Sequence, residues 1–204
     1  MPIERDLAGS AAFIICGGPS VDEQNLDLLR GRPVVVVNSS FRRVPWADVL
    51  LFADSRWFNW NKEKLPDFHG RVVTVFDNNP IRKYPPHFEQ YRKSRPPELS
   101  RDPNALALAR TTVTGAINYL GLRGASPVVM LGLDLKATVD AAGKRKTHHH
   151  EPHPIPSMKG SWERHNKELC SIGPSLKAMG VEVINASPGS ACTAFPIATL
   201  EDAL

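Results

Sequence analysis

The chain has 204 residues, 42% hydrophobic and 23% charged, with a formal net charge of +4. That length suits one sizeable core, and the composition excludes a wholly disordered or fibrous chain. No apolar run reaches the ~18 residues of a membrane span, and the charged opening MPIERDLAGS argues against a secretory signal. The three cysteines, Cys16, Cys170 and Cys192, are odd in number and lack CxxC spacing. A disulfide framework or zinc ribbon is therefore not expected, and a reducing, cytoplasmic setting is.

Short apolar runs that stop at polar residues recur along the chain. Ala11 to Cys16 predicts a first strand, Pro33 to Val37 a second, Asp48 to Ala53 a third and Arg71 to Phe76 a fourth. Pro127 to Leu133 predicts a fifth and Val181 to Ile184 a sixth. Runs without polar alternation fit strands covered on both faces, as in a parallel sheet. Helices are expected between several of them. Ser20 with Glu23 reads as a capping box ahead of Leu26, Leu28 and Leu29, with Gly31 as the stop. Ser55 to Leu65, Thr112 to Leu122 and Ser161 to Met179 follow, the last kinked or split at Gly173-Pro174. The alternation predicts an α/β fold over residues 1–204: an open, mostly parallel, Rossmann-like sheet of about six strands with helices on both faces.

Two stretches read as long loops, at about 77–104 and 136–160. The first is rich in proline and in basic residues: Arg82, Lys83, Arg92, Lys93, Arg95 and Arg101 stand against Glu89 and Glu98. It is either a solvated face or a surface for nucleic acid or another phosphate-bearing partner. The second holds four histidines and three prolines, and Lys144, Arg145 and Lys146.

Ligands of open parallel sheets bind beyond the carboxyl ends of the strands. Each predicted strand ends in small or hydrogen-bonding residues: Gly17-Gly18-Pro19-Ser20, Asn38-Ser39-Ser40, Asp54, Asp77-Asn78-Asn79, Asp134, and Asn185 with Ser187. Turn chemistry explains part of this pattern, and a shared polar cleft explains the rest. Gly17 to Ser20 is neither a dinucleotide fingerprint nor a P-loop. Its glycines suit either close approach of backbone N–H groups to an anion or a plain strand-to-helix turn. Thr111 to Gly115 offers hydroxyls and N–H groups to a phosphate, or a simple threonine cap. Thr147-His148-His149-His150-Glu151-Pro152-His153 supplies a general base, a metal ligand of no standard zinc spacing, or a solvated loop. Trp46, Trp57, Phe58 and Trp60 serve the core or stack on a base or sugar.

The succession Gly17-Gly18-Pro19-Ser20, Val37-Asn38-Ser39, Thr114-Gly115, Leu131-Gly132-Leu133-Asp134 and a histidine-bearing loop resembles two related groups. One is the bacterial CMP-sialic-acid-dependent sialyltransferases. The other is the MptE-like family, with its 6-hydroxymethylpterin diphosphokinases, motility-associated glycosylation factors and phage or prophage products. The resemblance covers roughly residues 11–190 through short motifs. The sialyltransferase likeness implies a CMP- or UDP-type nucleotide-sugar donor. Gly17, Gly18, Pro19 and Ser20 would then cradle its phosphate and ribose, Asn38 with Ser39 would touch the nucleotide, and Thr114 with Gly115 would meet the donor. His148, His150 or His153 would deprotonate the acceptor hydroxyl. The MptE-like likeness implies Mg²⁺-ATP and a pterin alcohol, with Asp54 and Asp134 near the metal. The expected function is therefore a nucleotide-dependent transferase, first a small glycosyltransferase, second a diphosphokinase. The third expectation is a non-catalytic nucleotide- or nucleic-acid-binding module that uses residues 82–101.

Overall fold

The computed structural model describes residues 1–76, 84–139, 142–151, 154–155 and 158–204. All six expected strands form: β1 (Ala12–Ile15), β2 (Val34–Val37), β3 (Val49–Phe52), β4 (Arg71–Phe76), β7 (Val128–Leu131) and β10 (Val183–Asn185). With β5 (Glu89–Ser94) and β6 (Ala105–Ala107) they build one open eight-stranded sheet, in the order β10-β7-β1-β2-β3-β4-β5-β6. Every pairing in it is parallel. A two-stranded antiparallel hairpin, β8 (Thr138–Val139) with β9 (Arg145–Lys146), stands apart.

The sheet thus has two more strands than expected, and both come from the basic stretch read as a loop. β5 was hidden because Tyr91 alone of its six residues is buried. Its backbone is held by β4 and β6, not by an apolar pattern. The second long loop is likewise interrupted by the β8–β9 hairpin.

The continuous apolar runs divide by strand alternation. Ala12, Ile14, Val35, Val37, Val49, Leu51, Val128 and Met130 face one core with Ile117, Leu120, Leu169 and Leu176. Phe13, Ile15, Val34, Val36, Leu50, Phe52, Val129 and Leu131 face a second core with Val21, Leu29, Trp57 and Leu65. The first core lies under α2 (Thr112–Leu122), α3 (Ser161–Ser171) and α4 (Gly173–Met179). The second lies under α1 (Ser55–Asn61) and short 3₁₀ turns. Helices therefore cover both faces, and none of the described residues forms a helix long and apolar enough to cross a membrane.

α2 returns the chain from the β6 edge to β7 and packs on β1, β2, β3 and β6 on the way. Gly115 permits the close crossing, since a Cβ there would lie 3.1 Å from Leu108 Cδ2. Asn118 on the same helix is fully buried, accepting from the N–H groups of Ser100 (2.9 Å) and Ala107 (2.8 Å). The expected break at Gly173-Pro174 separates α3 from α4, because proline lacks the N–H the helix needs. The expected helix after Ser20 is replaced by two 3₁₀ turns, Pro19–Glu23 and Leu26–Leu29. Gly18 holds the cap position, and the Ser20 side chain is drawn elsewhere.

Candidate active site

The chain runs outward from β1 to β6 and then returns to β7 on the other side of β1. The strand order reverses between β1 and β7, which is where open α/β sheets open a crevice. A cleft of about 760 Å³ lies there. Its floor is Gly17, Gly18, Asn38, Asp54, Gly132 and Asp134 at the strand ends. His148 and His150 cover one side, and Trp60, Trp162 and His165 contribute rings elsewhere.

The structure thus brings together seven of the expected residues: Gly17, Gly18, Asn38, Asp54, Asp134, His148 and His150. Pro19, Ser20, Ser39, Thr114 and Gly115 are buried behind the cleft wall. Ser39 accepts from Trp57 Nε1 at 3.0 Å, and Thr114 donates to Glu168 Oε1 at 2.8 Å. His153, with Asp77, Asn78 and Asn79, lies outside the described residues.

The turn after β1 is set by Asp134. Its carboxylate accepts from Ser20 N–H at 2.9 Å and Ser20 Oγ–H at 2.5 Å, all buried. A Cβ on Gly18 would fall 2.5 Å from Asp134 Oδ2 and from the Gly132 carbonyl oxygen, so only glycine fits. Gly18 N–H itself donates to Gly132 O at 2.8 Å. A second buried carboxylate serves the turn before α2. Glu168 accepts from Arg110 N–H (2.5 Å), Ala109 N–H (3.3 Å) and Thr111 N–H (3.4 Å) as well as from Thr114. Thr111 caps α2 by accepting from Val113 N–H at 3.3 Å.

Among the described residues, the histidine loop is docked through His149. His149 N–H donates to Gly17 O at 3.0 Å, and its Nε2 lies 3.1 Å from Ser40 Oγ. Ser40 in turn donates to Cys16 O at 3.0 Å, which leaves His149 Nε2–H as the donor to Ser40. Burial pushes the His149 pKa below the usual histidine range, so the ring is neutral near pH 7. With His149 as the pin, its neighbours turn to the cleft. The rings of His148 and His150 stand 4.8 Å apart beside Gly17. His150 Nδ1 lies 2.7 Å from the Glu151 carbonyl oxygen, which only accepts. Nδ1 therefore carries the proton, and the lone pair of this tautomer is on Nε2, the His150 atom nearest where a Gly17 Cβ would stand.

Two features of the floor carry strain. Asn38 (φ 51°) and Leu135 (φ 50°) are the non-glycine residues in the left-handed region among those described, and both line the cleft. Asn38 Oδ1 is also buried with no hydrogen-bond partner among the described residues. Strain and unsatisfied polar atoms persist where surrounding structure enforces them, and they cluster at ligand sites.

The charge of the cleft is positive. Arg56, Lys93, Arg110, Lys136 and Arg164 line it, against Asp54 and the buried Asp134. Asp54 caps α1 and pairs with Arg56 at 2.7 Å. Burial pushes its pKa up, but the hydrogen bonds from Arg56 outweigh that and hold it below the usual carboxylate range. Burial also lowers the pKa of His165 on α3, which faces the Arg110 backbone. His165, Arg164, Arg110 and Trp162 were not singled out from sequence. They come from a helix and a turn whose place above the sheet no local pattern encodes.

A larger concavity, of about 1710 Å³, sits at the amino ends of β2 to β5, lined by Trp46, Phe68, Phe88 and others. Two of its cations have acidic partners: Arg123 pairs with Asp6 at 2.5 Å and Arg71 with Glu89 at 3.6 Å. Trp57 and Phe58 belong to an aromatic cluster around Phe52, and of the residues expected to stack, 46, 57, 58 and 60, Trp57 and Trp60 line the cleft. In the basic segment, Arg92 pairs with Asp102 and Arg101 donates to the Ala178 carbonyl, while Lys93 lines the cleft. The described residues hold no cluster of three or more His, Cys, Asp or Glu side chains suited to a metal ion. No protein-family model, no curated protein and no solved structure matches this chain.

Proposed function

We propose that the protein is a nucleotide-dependent transferase, a small glycosyltransferase that takes its sugar from a CMP- or UDP-type donor. The observation that carries this reading is His150, its Nε2 turned toward Gly17 in a cationic, tryptophan-bearing cleft at the strand-order reversal. In the transfer, Nε2 takes the proton of an acceptor hydroxyl. The acceptor oxygen then bonds to the sugar's anomeric carbon. The bond from that carbon to the donor phosphate breaks, and its electron pair leaves on the phosphate oxygen. Positive side chains around the cleft stabilise that departing charge. Asn38 Oδ1 offers an acceptor to a base amine or ribose hydroxyl, which would satisfy its lone pairs.

The Mg²⁺-ATP diphosphokinase reading draws less support from these residues. Asp134 spends its carboxylate on Ser20, and Asp54 spends its own on Arg56. A nucleic-acid module working through residues 82–101 is supported less again, since Arg92 and Arg101 have partners within the fold.

The test is turnover of CMP- and UDP-sugars, alone and with hydroxyl-bearing acceptors. His150→Ala is expected to bind the donor nearly as the parent does and to lose about 10²–10⁴-fold in rate. Full turnover by His150→Ala and by His148→Ala would remove the loop from the chemistry.

A further inference from the structure

The two turns best suited to an external phosphate already hold an internal anion. Amide donors at a strand-to-helix turn bind anions because they are otherwise unpaired. After β1, the Ser20 N–H and hydroxyl go to Asp134, and Gly18 N–H goes to Gly132 O. Before α2, the N–H groups of residues 109–111 go to Glu168. A phosphate drawn to either turn would meet a buried carboxylate as well as spent donors. The Gly17–Ser20 turn is then a wall of the cleft and not its phosphate cradle.

The positive side chains sit elsewhere. Arg110 stands ahead of α2, Arg164 in the first turns of α3, and Lys136 follows β7. Arg164 is half-buried, with Nη1 about 3.4 Å from where a Cβ would stand on Gly160. Arg110 and Lys136 are exposed. Arginine forks suit phosphate oxygens, and they keep their charge at any working pH.

We infer that the phosphates of the nucleotide are held by the side chains of Arg110 and Arg164 on the α2–α3 wall, with the transferable group pointing toward Gly17 and His150. This rests on the nucleotide reading of the cleft and adds the ligand's orientation. It also narrows the donor to the UDP-type: two arginine forks engage two phosphate groups, whereas a CMP-type donor carries one. A nucleoside diphosphate then binds more tightly than a monophosphate, and a nucleoside hardly at all.

Calorimetric titration with uridine, UMP and UDP, and with cytidine, CMP and CDP, tests this on the parent, Arg110→Ala, Arg164→Ala and the double variant. Arg110→Lys and Arg164→Lys, with circular dichroism and melting curves, control for folding. Each alanine is expected to weaken the diphosphate about tenfold or more, since hydrogen bonds to charged groups reach that range. Each should leave the nucleoside little changed and flatten the salt dependence of binding. A diphosphate that binds the parent and the double variant equally would overturn the inference while leaving a nucleotide site in place. Absence of binding by every probe to the parent would overturn the nucleotide reading and the inference together.

Discussion

Asp134→Ala tests the joint on which the cleft floor depends. Asp134 is 3% exposed and Ser20 7%, and two hydrogen bonds join them across 114 positions of sequence. A hydrogen bond to a buried charged group contributes about 1.5–3 kcal/mol, so losing both costs roughly 3–6 kcal/mol. For a chain of this size each kcal/mol moves the melting midpoint by about 2–4 °C. Ser20→Ala removes the hydroxyl bond and keeps the amide bond, so it should cost about half as much. Asp134→Asn should fall between the two, because its amide end presents a donor to a donor. Urea denaturation of the two single variants and Ser20→Ala/Asp134→Ala closes a double-mutant cycle. The double variant should be less destabilised than the sum of the singles. Asp134→Ala within about 0.5 kcal/mol of the parent, as for an ordinary surface change, would refute the reasoning.

Other outcomes follow from the same geometry. Glu168→Ala strips the acceptor from three backbone amides and Thr114, so it should destabilise by about 3–5 kcal/mol in urea melts, while Glu168→Gln loses less. His149 and His165 both have pKa values lowered by burial. The unfolded chain therefore binds more protons, and stability is flat above the ordinary histidine pKa of about 6.5 and falls as pH drops below it. His149→Gln should shallow that fall in melts run between about pH 7.5 and 5; an unchanged slope would count against a half-buried neutral ring. Cys16 and Cys192 are buried with their thiol pKa values pushed up, and Cys170 is exposed. A thiol reagent should label Cys170 rapidly in the native protein and the other two only after denaturation.

The six expected strands were legible because burial leaves continuous apolar runs such as Val34–Val37. β5 was not, because Glu89, Arg92 and Lys93 carry no such signal and its place is set by hydrogen bonds to β4 and β6. A parallel sheet puts all its strand ends on one side, so Gly17, Asn38, Asp54 and Asp134 could be grouped from order alone. Their individual work could not. That Asp134 rather than a ligand fills the Ser20 donors depends on a contact 114 residues away. The division of labour in the loop, His149 inward and His148 with His150 toward the cleft, depends on Ser40 and Gly17. His165 and Arg164 entered the site only when α3 was laid over the sheet.

The most direct measurement is a structure of the protein soaked with UDP or CDP. The expected result is nucleotide density in the cleft between the β1 turn and α3, with Asn38 Oδ1 contacting the base or ribose and His150 Nε2 facing the far end. Density in the concavity near Trp46 and Phe88, with the cleft empty, would contradict it.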